Sequence, residues 1–227
     1  MSTAVLLSGG LDSAVLLAEE AASDTVQPIY VSVGLAWEEA ERLATMQLLA
    51  SGKMGPRVKP LVSLSVDMTD VYPAAHWART GRAPGYHTPD EDVYLPGRNI
   101  VLLGKAGVFC AAAGIGRLVI GTLDHNPFPD ATPEFRETFA AALSLGLAHR
   151  IEIAAPYARV EKSEVIRRAA ARQVPLELTL SCMNPVIADG LPRHCGLCSK
   201  CRERHDAFLV AQINDPTDYV DKQYVNQ

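Results

Sequence analysis

The sequence predicts an α/β protein built on a parallel β-sheet. Short apolar runs alternate with longer segments of helical periodicity along most of the 227 residues, a pattern typical of consecutive βαβ units. A glycine-containing turn, Ser8 to Ser13, separates the first apolar run from the first helical segment, and four cysteines crowd together near the C terminus. These observations predict a sheet with a ligand site at one edge and a separate cysteine-rich region.

Five apolar runs predict strands, and five longer segments predict helices. The predicted strands are Thr3–Leu7, Val26–Val33, Pro60–Val66, Arg117–Ile120 and Ile151–Ala154. The predicted helices are Leu11–Ala22, Trp37–Ala50, Asn99–Ala113, Pro133–Gly146 and Lys162–Arg172. Because parallel strands present their carboxyl ends at one edge of the sheet, we expect the chemistry in the loops after the first four strands.

The composition of two of these helices predicts how far each is buried. The second helix has a run of charges, which is typical of a solvent-exposed face. That run comprises Glu38, Glu39, Glu41 and Arg42. The third helix, from Asn99 to Ala113, is almost entirely apolar, and such a composition is typical of a helix buried on both sides.

The segment from Asp67 to Gly97 contains no clear strand or helix. Connections longer than about 12–15 residues are usually functional or disordered. Its histidines and aromatic residues would suit a lid over a substrate, and a surface excursion with one buried aromatic side chain is an equal alternative. The residues concerned are His76, Trp77, Tyr86 and His87.

Composition excludes several classes of function. The net charge of −5 disfavours extensive nucleic-acid binding, which usually requires a basic surface. No apolar run approaches the roughly 20 residues that span a bilayer, and no basic segment with a cleavage site precedes the first strand. The five cysteines are an odd number, which favours reduced thiols. We therefore expect a cytoplasmic protein without a membrane or nucleic-acid partner.

The turn after the first strand has the chemistry of a phosphate-binding site. The N terminus of a helix offers free N–H groups and a partial positive charge, and paired glycines let the backbone approach an anion. The residues are Ser8, Gly9, Gly10, Leu11, Asp12 and Ser13, which we name the phosphate loop. Asp12 would cap the helix or help to hold Mg²⁺ on the phosphates. The loop has neither the Gly-Lys-Ser/Thr ending of a Walker A motif nor the G-x-G-x-x-G pattern, and a tight turn without a ligand is the alternative.

The C-terminal cysteines have the spacing of a metal site. Cys195, Cys198 and Cys201 form a C-x-x-C-x-x-C motif, and Cys182 lies thirteen residues upstream. Four thiolates suit a structural zinc ion, which can stabilise a short, loop-rich region. The spacing also permits an iron–sulfur cluster, and His194 or His205 could replace one thiol. Cys110, within an apolar helix, is expected to be a small core residue.

Several motifs together resemble a known family. Ser8–Ser13 is similar to the signature of the N-type ATP-pyrophosphatases, and nearly the whole chain resembles the 7-cyano-7-deazaguanine synthase family. The further motifs are Leu95-Pro96-Gly97-Arg98-Asn99, Phe128-Pro129-Asp130, Lys162-Ser163-Glu164, Ser181-Cys182, Ile187-Ala188-Asp189-Gly190 and the cysteine cluster. The resemblance implies a Rossmann-like, adenine nucleotide alpha hydrolase-like five-stranded parallel sheet over residues 1–176. It also implies a zinc-binding region over residues 177–227 and a homodimer.

The resemblance also implies a reaction. Such enzymes use ATP and Mg²⁺ to adenylate the carboxylate of 7-carboxy-7-deazaguanine, and ammonia converts it to the amide and then to the nitrile of the queuosine pathway. The implied catalytic residues are Asp12, Arg98 and Lys162, and the implied substrate-binding residues are Asn99, Asp124 and Asp130. Taken alone, Arg98 and Lys162 would be a solvated helix start and a surface charge, and the two aspartates would be helix caps.

The chain departs from the family at positions expected to face the substrate. The family's Tyr-Gly-Gln-Arg-His-like stretch after the second strand is replaced here by Val33-Gly34-Leu35-Ala36-Trp37-Glu38, so the Gln-Arg-His triplet is absent. Met183 stands where the family has tyrosine, and Ala131-Thr132 where it has Cys-Arg; four additional residues precede Cys195. The loss of buried hydrogen-bonding groups changes which substrate finds partners for all of its polar groups in the site.

Three alternatives to a nitrile synthase follow. A paralogue could stop at the amide, or join the activated carboxylate to another amine such as a protein terminus. An enzyme that thiolates or amidates a tRNA base would need a basic face or an RNA-binding domain, and neither is evident. A nucleotide-sensing module without turnover would retain the phosphate loop and lose the substrate residues.

Overall fold

A computed structural model describes residues 3–225 of the chain, which fold around a five-stranded parallel sheet. The strands are β1 (Thr3–Leu6), β2 (Val26–Ser32), β3 (Val62–Ser65), β4 (Arg117–Val119) and β5 (Glu152–Ala154). Their spatial order is β3-β2-β1-β4-β5, and every neighbouring pair is parallel. The predicted α/β class and the five predicted strands are confirmed.

Seven α-helices occur within the described residues. They are α1 (Leu11–Ser23), α2 (Glu38–Ala50), α3 (Trp77–Thr80), α4 (Arg98–Ala112), α5 (Pro133–Gly146), α6 (Lys162–Ala171) and α7 (Ser199–Ala211). An antiparallel hairpin of β6 (Val186–Ala188) and β7 (Leu191–Arg193) precedes the last helix. The five predicted helices are confirmed, whereas α3, α7 and the hairpin were not predicted.

The topology places the loops after β1 and β4 side by side at the centre of one sheet edge. Thr3 of β1 pairs with Val26 of β2 on one side and with Arg117 of β4 on the other. The chain therefore runs outward from β1 through β3 and then returns to start again at β4. The strand order reverses between β1 and β4, and in open parallel sheets ligands bind at this switch point.

Both faces of the sheet are covered by helices. Ala4 and Leu6 of β1 belong to one apolar cluster with α4, while Val5 of β1 and Leu7, just after the strand, belong to a second cluster with α1 and α6. Alternate residues of one strand thus pack in two cores, which explains why the strands are continuous apolar runs in the sequence. Cys110 is fully buried in the first cluster, as expected for a small core residue.

Two expectations about helix burial are wrong. Helix α4 leaves Ile100 and Val108 45% and 52% exposed, so it is buried on one side only. In α2, Glu39 and Arg42 face solvent as expected, whereas Glu38 and Glu41 are buried. Glu38 is buried because it accepts hydrogen bonds from the backbone N–H groups that follow β2, and Glu41 because it accepts them from aromatic side chains.

The C-terminal residues pack directly on the sheet domain. The backbone N–H of Leu180 donates to the carbonyl of Gly9 at 2.8 Å, and the guanidinium of Arg204, fully buried, donates to the carbonyl of Leu176 at 2.8 Å. The predicted division into regions 1–176 and 177–227 stays a prediction, and residues 1, 2, 226 and 227 lie outside the described residues. Across residues 3–225, every helix is too short or too polar to cross a membrane.

Candidate functional site

The phosphate loop forms the turn between β1 and α1, as the sequence predicts. The first bond of the helical ladder runs from the N–H of Ala14 to the carbonyl of Gly10 at 3.0 Å. The N–H groups of Leu11, Asp12 and Ser13 precede that ladder, so they are available to an anion at the helix N terminus. The Oγ atoms of Ser8 and Ser13 lie 3.3 Å apart and place two hydroxyl groups in the same turn.

Gly9 is required by the way this loop packs. Its φ of +75° lies in the left-handed region. A Cβ at this position would lie 2.7 Å from Oγ1 of Thr45 and 2.9 Å from the carbonyl oxygen of Glu41. Any side chain would therefore push α2 away from the loop.

A charged network joins the phosphate loop to two other helices. The Nζ of Lys162, at the start of α6, lies 3.0 Å from Asp12 and 2.7 Å from Glu203 of α7. Glu203 also binds the Nζ of Lys200 at 2.6 Å. We name these four residues the charged network.

Ionisation of the network follows from its geometry. Burial opposes the charged form of Lys162, but Asp12 and Glu203 outweigh it and raise the pKa of the ammonium above its ordinary value. Burial likewise works against ionised Glu203, but Lys162 and Lys200 lower its pKa to about 2. Lys162 and Glu203 therefore hold fixed charges at neutral pH.

Asp12 has an unused oxygen. One carboxylate oxygen binds Lys162, whereas Oδ1 is buried and has no hydrogen-bond partner among the described residues. The alternative of Asp12 as a cap is not realised, since α1 has Gly10 at its N-cap and no side-chain cap. A free carboxylate oxygen is the donor that Mg²⁺ prefers, so the residues of the phosphate loop fit that ion.

The loop and the network open into a cavity of about 380 Å³. Every predicted catalytic and substrate-binding residue lines it, as does every residue of the phosphate loop except Gly9. The predicted residues are Asp12, Arg98, Lys162, Asn99, Asp124 and Asp130. The topology thus brings together side chains that are far apart in the sequence, such as Asp12 and Lys162, which are 150 positions apart.

Asn99 and Asp130 bind each other. The backbone N–H of Asn99 donates to Oδ2 of Asp130 at 3.1 Å, and its side-chain amide donates to Oδ1 at 3.2 Å. Burial raises the pKa of Asp130, and the hydrogen bonds from Asn99 oppose that shift. The pair fixes the start of α4, and with it Arg98, whose buried Nε has no hydrogen-bond partner among the described residues.

Asp124 lies in the loop after β4, at the switch point. His125 follows it with a φ of 54°, and its Nε2 lies 3.5 Å from Asp124 and 3.4 Å from Glu161. His125 and Glu161 are largely exposed. Asp124 therefore lies at the rim of the cavity.

A second group of polar side chains lines the cavity beyond β2. The two carboxylate oxygens of Glu41 accept hydrogen bonds from Nε1 of Trp37 at 3.0 Å and from the hydroxyl of Tyr30 at 3.1 Å. Burial raises the pKa of Glu41 to about 7, although the charge of Arg98 opposes the shift. The indole of Trp37 is stacked on that of Trp77, with ring centroids 5.5 Å apart and planes at 5°.

Most of the residues expected to form a lid, in the segment of residues 67–97, lie away from the cavity. Trp77 lines the cavity. His76 instead accepts a hydrogen bond from the N–H of Ala78 at the start of α3. Tyr86 and His87 contact Tyr224, away from the cavity. Of the four residues expected in a lid, only Trp77 lies at the site.

The four clustered cysteines are buried and meet at one point. Their Sγ atoms all lie within 4.8 Å of one another, with separations of 3.9 Å for Cys182–Cys198 and 3.5 Å for Cys198–Cys201. Four sulfurs about 2.3 Å from one tetrahedral ion lie about 3.8 Å apart, so the spacing fits a single ion. In an iron–sulfur cube each thiolate binds a different iron, which requires wider spacing.

Neither histidine considered as a substitute ligand joins this cluster. Nε2 of His194 accepts a hydrogen bond from the N–H of Ser181 at 3.1 Å, and Nδ1 of His205 lies 3.7 Å from Asp215. The four cysteines, without either histidine, form a group that could hold a metal ion.

Sequence reasoning missed four of the residues that form the charged network and the polar group beyond β2. Two of them, Lys200 and Glu203, lie in and just after the cysteine motif, where charges are expected to be exposed. The other two, Tyr30 and Glu41, lie beside Trp37, which was expected to face the substrate. The available signal was the Trp37–Glu41 spacing of four residues, which places both side chains on one face of a helix start.

Comparisons with known proteins agree with the resemblance. The model of the family described as queuosine biosynthesis protein QueC matches residues 2–212. A 7-cyano-7-deazaguanine synthase from Methanopyrus kandleri is 32% identical and covers 97% of this chain and 99% of the relative. One from Azoarcus sp. (strain BH72) is 33% identical, with 95% of each chain covered.

Solved structures resemble this chain more distantly. A U34-tRNA thiolase NcsA from Methanococcus maripaludis with a [4Fe-4S] cluster is 14% identical, with a TM-score of 0.44 over 77% of this chain and 58% of that chain. A similarity of this size supports no argument about the cysteine cluster.

Proposed function

This chain belongs to the family of the queuosine biosynthesis protein QueC, and on that premise we propose that it is an ATP-dependent carbon–nitrogen ligase acting on a 7-deazaguanine carboxylate. The observation that carries the proposal is the single cavity shared by the phosphate loop, Arg98 and Lys162. Anion-binding N–H groups, two cations and aromatic walls are the groups needed by a reaction between a nucleotide and a planar carboxylate.

The first step activates the carboxylate. An oxygen of the substrate carboxylate attacks the α-phosphorus of ATP, the bond to the β-phosphate oxygen breaks, and pyrophosphate leaves. Asp12 would hold Mg²⁺ through its unpaired oxygen, and the ion, when bound, neutralises phosphate charge. Lys162 and Arg98 supply fixed positive charge where negative charge grows in the transition state.

The second step forms the carbon–nitrogen bond. Ammonia attacks the acyl carbon of the adenylate, AMP leaves with the former carboxylate oxygen, and a proton is released to give the amide. In a second round, the amide oxygen attacks the α-phosphorus of another ATP and pyrophosphate leaves again. Loss of AMP and of both amide protons from that product gives the nitrile, 7-cyano-7-deazaguanine.

A variant of this reaction is favoured by one observation. Of the positions where the chain departs from the family pattern, Trp37 and Met183 line the cavity. The substrate side of the site is therefore changed, while the phosphate side is kept. A QueC-like enzyme that stops at the amide, or that joins the activated carboxylate to another amine such as a protein terminus, is the second candidate.

We further propose that the cysteine cluster holds Zn²⁺ and that the protein is a homodimer. Zinc is supported by the close spacing of four buried thiols and by the preference of soft thiolates for this ion. The dimer rests on the family resemblance, and sedimentation equilibrium tests it.

An assay of products separates the candidates. The protein is incubated with ATP, Mg²⁺, ammonia and 7-carboxy-7-deazaguanine, and AMP, pyrophosphate and the product mass are followed. The nitrile supports the synthase, and the amide alone supports the shortened reaction. AMP released only with another amine supports conjugation. ATP binding without AMP formation under every condition would overturn the ligase and favour a nucleotide sensor.

A further inference from the structure

Glu41 occupies an unusual position for a charged residue. It is 9% exposed, it lines the cavity, and its carboxylate accepts hydrogen bonds from two neutral donors, the indole of Trp37 and the phenol of Tyr30. Within residues 3–225, no cation lies within ion-pair distance of this carboxylate. An ionised carboxylate has about four acceptor positions, so two remain for a ligand.

The energetics argue against a purely structural role. A buried charge without an ion-pair partner costs free energy, and two neutral donors offset that cost only in part. The shift of the pKa of Glu41 to about 7, caused first by burial, reflects the remaining cost. Further donors from a bound molecule would complete the solvation of this carboxylate.

The surroundings of Glu41 select a planar molecule. Trp37 and Trp77 form a flat aromatic wall beside it, and both line the cavity. A second stacked pair, Tyr94 and Phe128 with centroids 5.0 Å apart, also lines the cavity. The buried carboxylate that follows it in the chain, Asp130, already accepts hydrogen bonds from Asn99 on both of its oxygens. Two aromatic walls suit a reaction that brings two heterocycles together, and only one wall carries Glu41.

A carboxylate distinguishes between heterocycles by their hydrogen-bonding edges. A 2-amino-4-oxopyrimidine ring, as in guanine-type bases, presents a ring N–H and an exocyclic N–H on adjacent positions, which match the two oxygens of one carboxylate. A 4-aminopyrimidine ring, as in adenine-type bases, presents a donor beside an acceptor. The second ring would place a lone pair against Glu41, and buried polar groups reject such partners strongly.

We propose that Glu41, held by Trp37 and Tyr30, is the specificity-determining residue that binds the paired N–H donors of a 2-amino-4-oxopyrimidine ring. The assignment of that ring to the carboxylate substrate rests on the proposed function. The recognition of the ring by Glu41 is independent of the proposed function, because it concerns only which ring binds beside Trp37 and Trp77.

The tryptophan pair provides a direct measurement. Trp37 and Trp77 are the only two tryptophans of the 227-residue chain, so its tryptophan fluorescence reports on this wall. The protein is titrated with 7-deazaguanine and, separately, with 7-deazaadenine. We expect 7-deazaguanine to quench the fluorescence with a Kd at least tenfold lower than that of 7-deazaadenine. Equal affinity in the wild-type protein would overturn the proposal without reference to any variant.

Two matched variants complete the test. Glu41→Gln keeps the size of the side chain and removes the charge, and we expect it to weaken 7-deazaguanine binding at least tenfold with little effect on 7-deazaadenine. Glu39→Gln changes the charge of the same helix equally, but at an exposed position, and should leave both affinities unchanged. Unchanged 7-deazaguanine binding in Glu41→Gln would contradict the role of Glu41.

Failure of this inference and failure of the proposed function give different results. If the wild-type protein binds 7-deazaguanine selectively but forms no AMP with 7-carboxy-7-deazaguanine, the ligase is wrong and the recognition by Glu41 stands. If the protein forms AMP and Glu41→Gln leaves the KM for the carboxylate unchanged, the ligase stands and the recognition is wrong.

Discussion

The ammonium nitrogen of Lys162 lies 3.0 Å from a carboxylate oxygen of Asp12, although the two residues are 150 positions apart. Lys162 is the first residue of α6, and Asp12 lies in the first turn of α1. This contact links the helix that follows β5 to the turn that follows β1. It places a fixed positive charge beside the N–H groups expected to hold phosphate.

Replacing Asp12 with alanine should abolish the chemistry and spare the fold. Lys162 keeps its contact with Glu203, so no buried cation is left unpaired. We expect the rate of AMP release to fall by about 10²–10³-fold, the usual cost of removing a group that stabilises charge in the transition state.

Steady-state AMP release and a thermal melt check this prediction. The control is Glu39→Ala, which removes an exposed acid from α2. Turnover of Asp12→Ala within a few fold of the wild type would remove Asp12 from the site.

Glu203 should act by positioning Lys162. In Glu203→Gln, Lys162 and Lys200 lose a shared carboxylate, while Asp12 still binds Lys162. We expect kcat to fall about tenfold with little change in KM, and a loss of stability of about 3 kcal/mol for breaking a largely buried ion pair.

The matched control for this variant is Glu164→Gln. Glu164 pairs with Arg168 on the exposed side of α6, so its loss should have little effect on stability and leave kcat unchanged. Denaturant unfolding and initial rates are measured for both variants. Equal effects of the two would show that Glu203 has no particular role.

The cysteine cluster should contain one zinc ion that stabilises the C-terminal region. Cys198 supplies a thiol and is also the N-cap of α7, the helix that carries Lys200 and Glu203. We expect Cys198→Ser to lose the metal and to lower Tm by about 10 °C or more.

Metal content by mass spectrometry and a thermal melt test this expectation. Cys110→Ala removes a buried thiol outside the cluster and should keep the full zinc content. Absorbance typical of an iron–sulfur cluster, or full zinc content in Cys198→Ser, would refute the assignment.

The burial of Glu41 should make stability depend on pH. Its pKa is about 7 in the folded protein, against an ordinary value near 4.5. Between these values the folded state keeps a proton that the unfolded state has released, so this contribution to stability is full below pH 4.5 and is lost as pH rises to about 7.

We therefore expect the wild type to lose about 2 kcal/mol more stability than Glu41→Gln between about pH 5 and pH 8. Urea unfolding of both proteins at the two pH values measures the difference. The same pH dependence in both would show that Glu41 has an ordinary pKa.

The sheet and the phosphate loop could be predicted because local pattern determines them. Strands buried on both faces are continuous apolar runs. The residue types of the turn Ser8–Ser13 are themselves typical of an anion-binding helix N terminus. The cysteine spacing is equally local. Each of these features depends on residues close together in the sequence.

The substrate side of the site could not be predicted in this way. Whether Glu41 is buried depends on Tyr30 and on the loop after β2, and whether Lys200 faces a cavity depends on the packing of α7 on α6. A run of charged residues predicts a solvent-exposed helix face, because the sequence does not show which of the charged side chains have buried hydrogen-bond or ion-pair partners. For the same reason, the apolar composition of α4 predicts burial on both sides. Composition alone does not show that no neighbouring element covers one of those sides.

The central claim is that a carboxylate oxygen attacks the α-phosphorus of ATP. The most direct test uses 7-carboxy-7-deazaguanine labelled with ¹⁸O in its carboxylate, with ATP, Mg²⁺ and an amine, followed by mass spectrometry of AMP. An acyl adenylate leaves one labelled oxygen in AMP, and the account predicts AMP heavier by one ¹⁸O. Unlabelled AMP, or the formation of ADP in place of AMP, would contradict it.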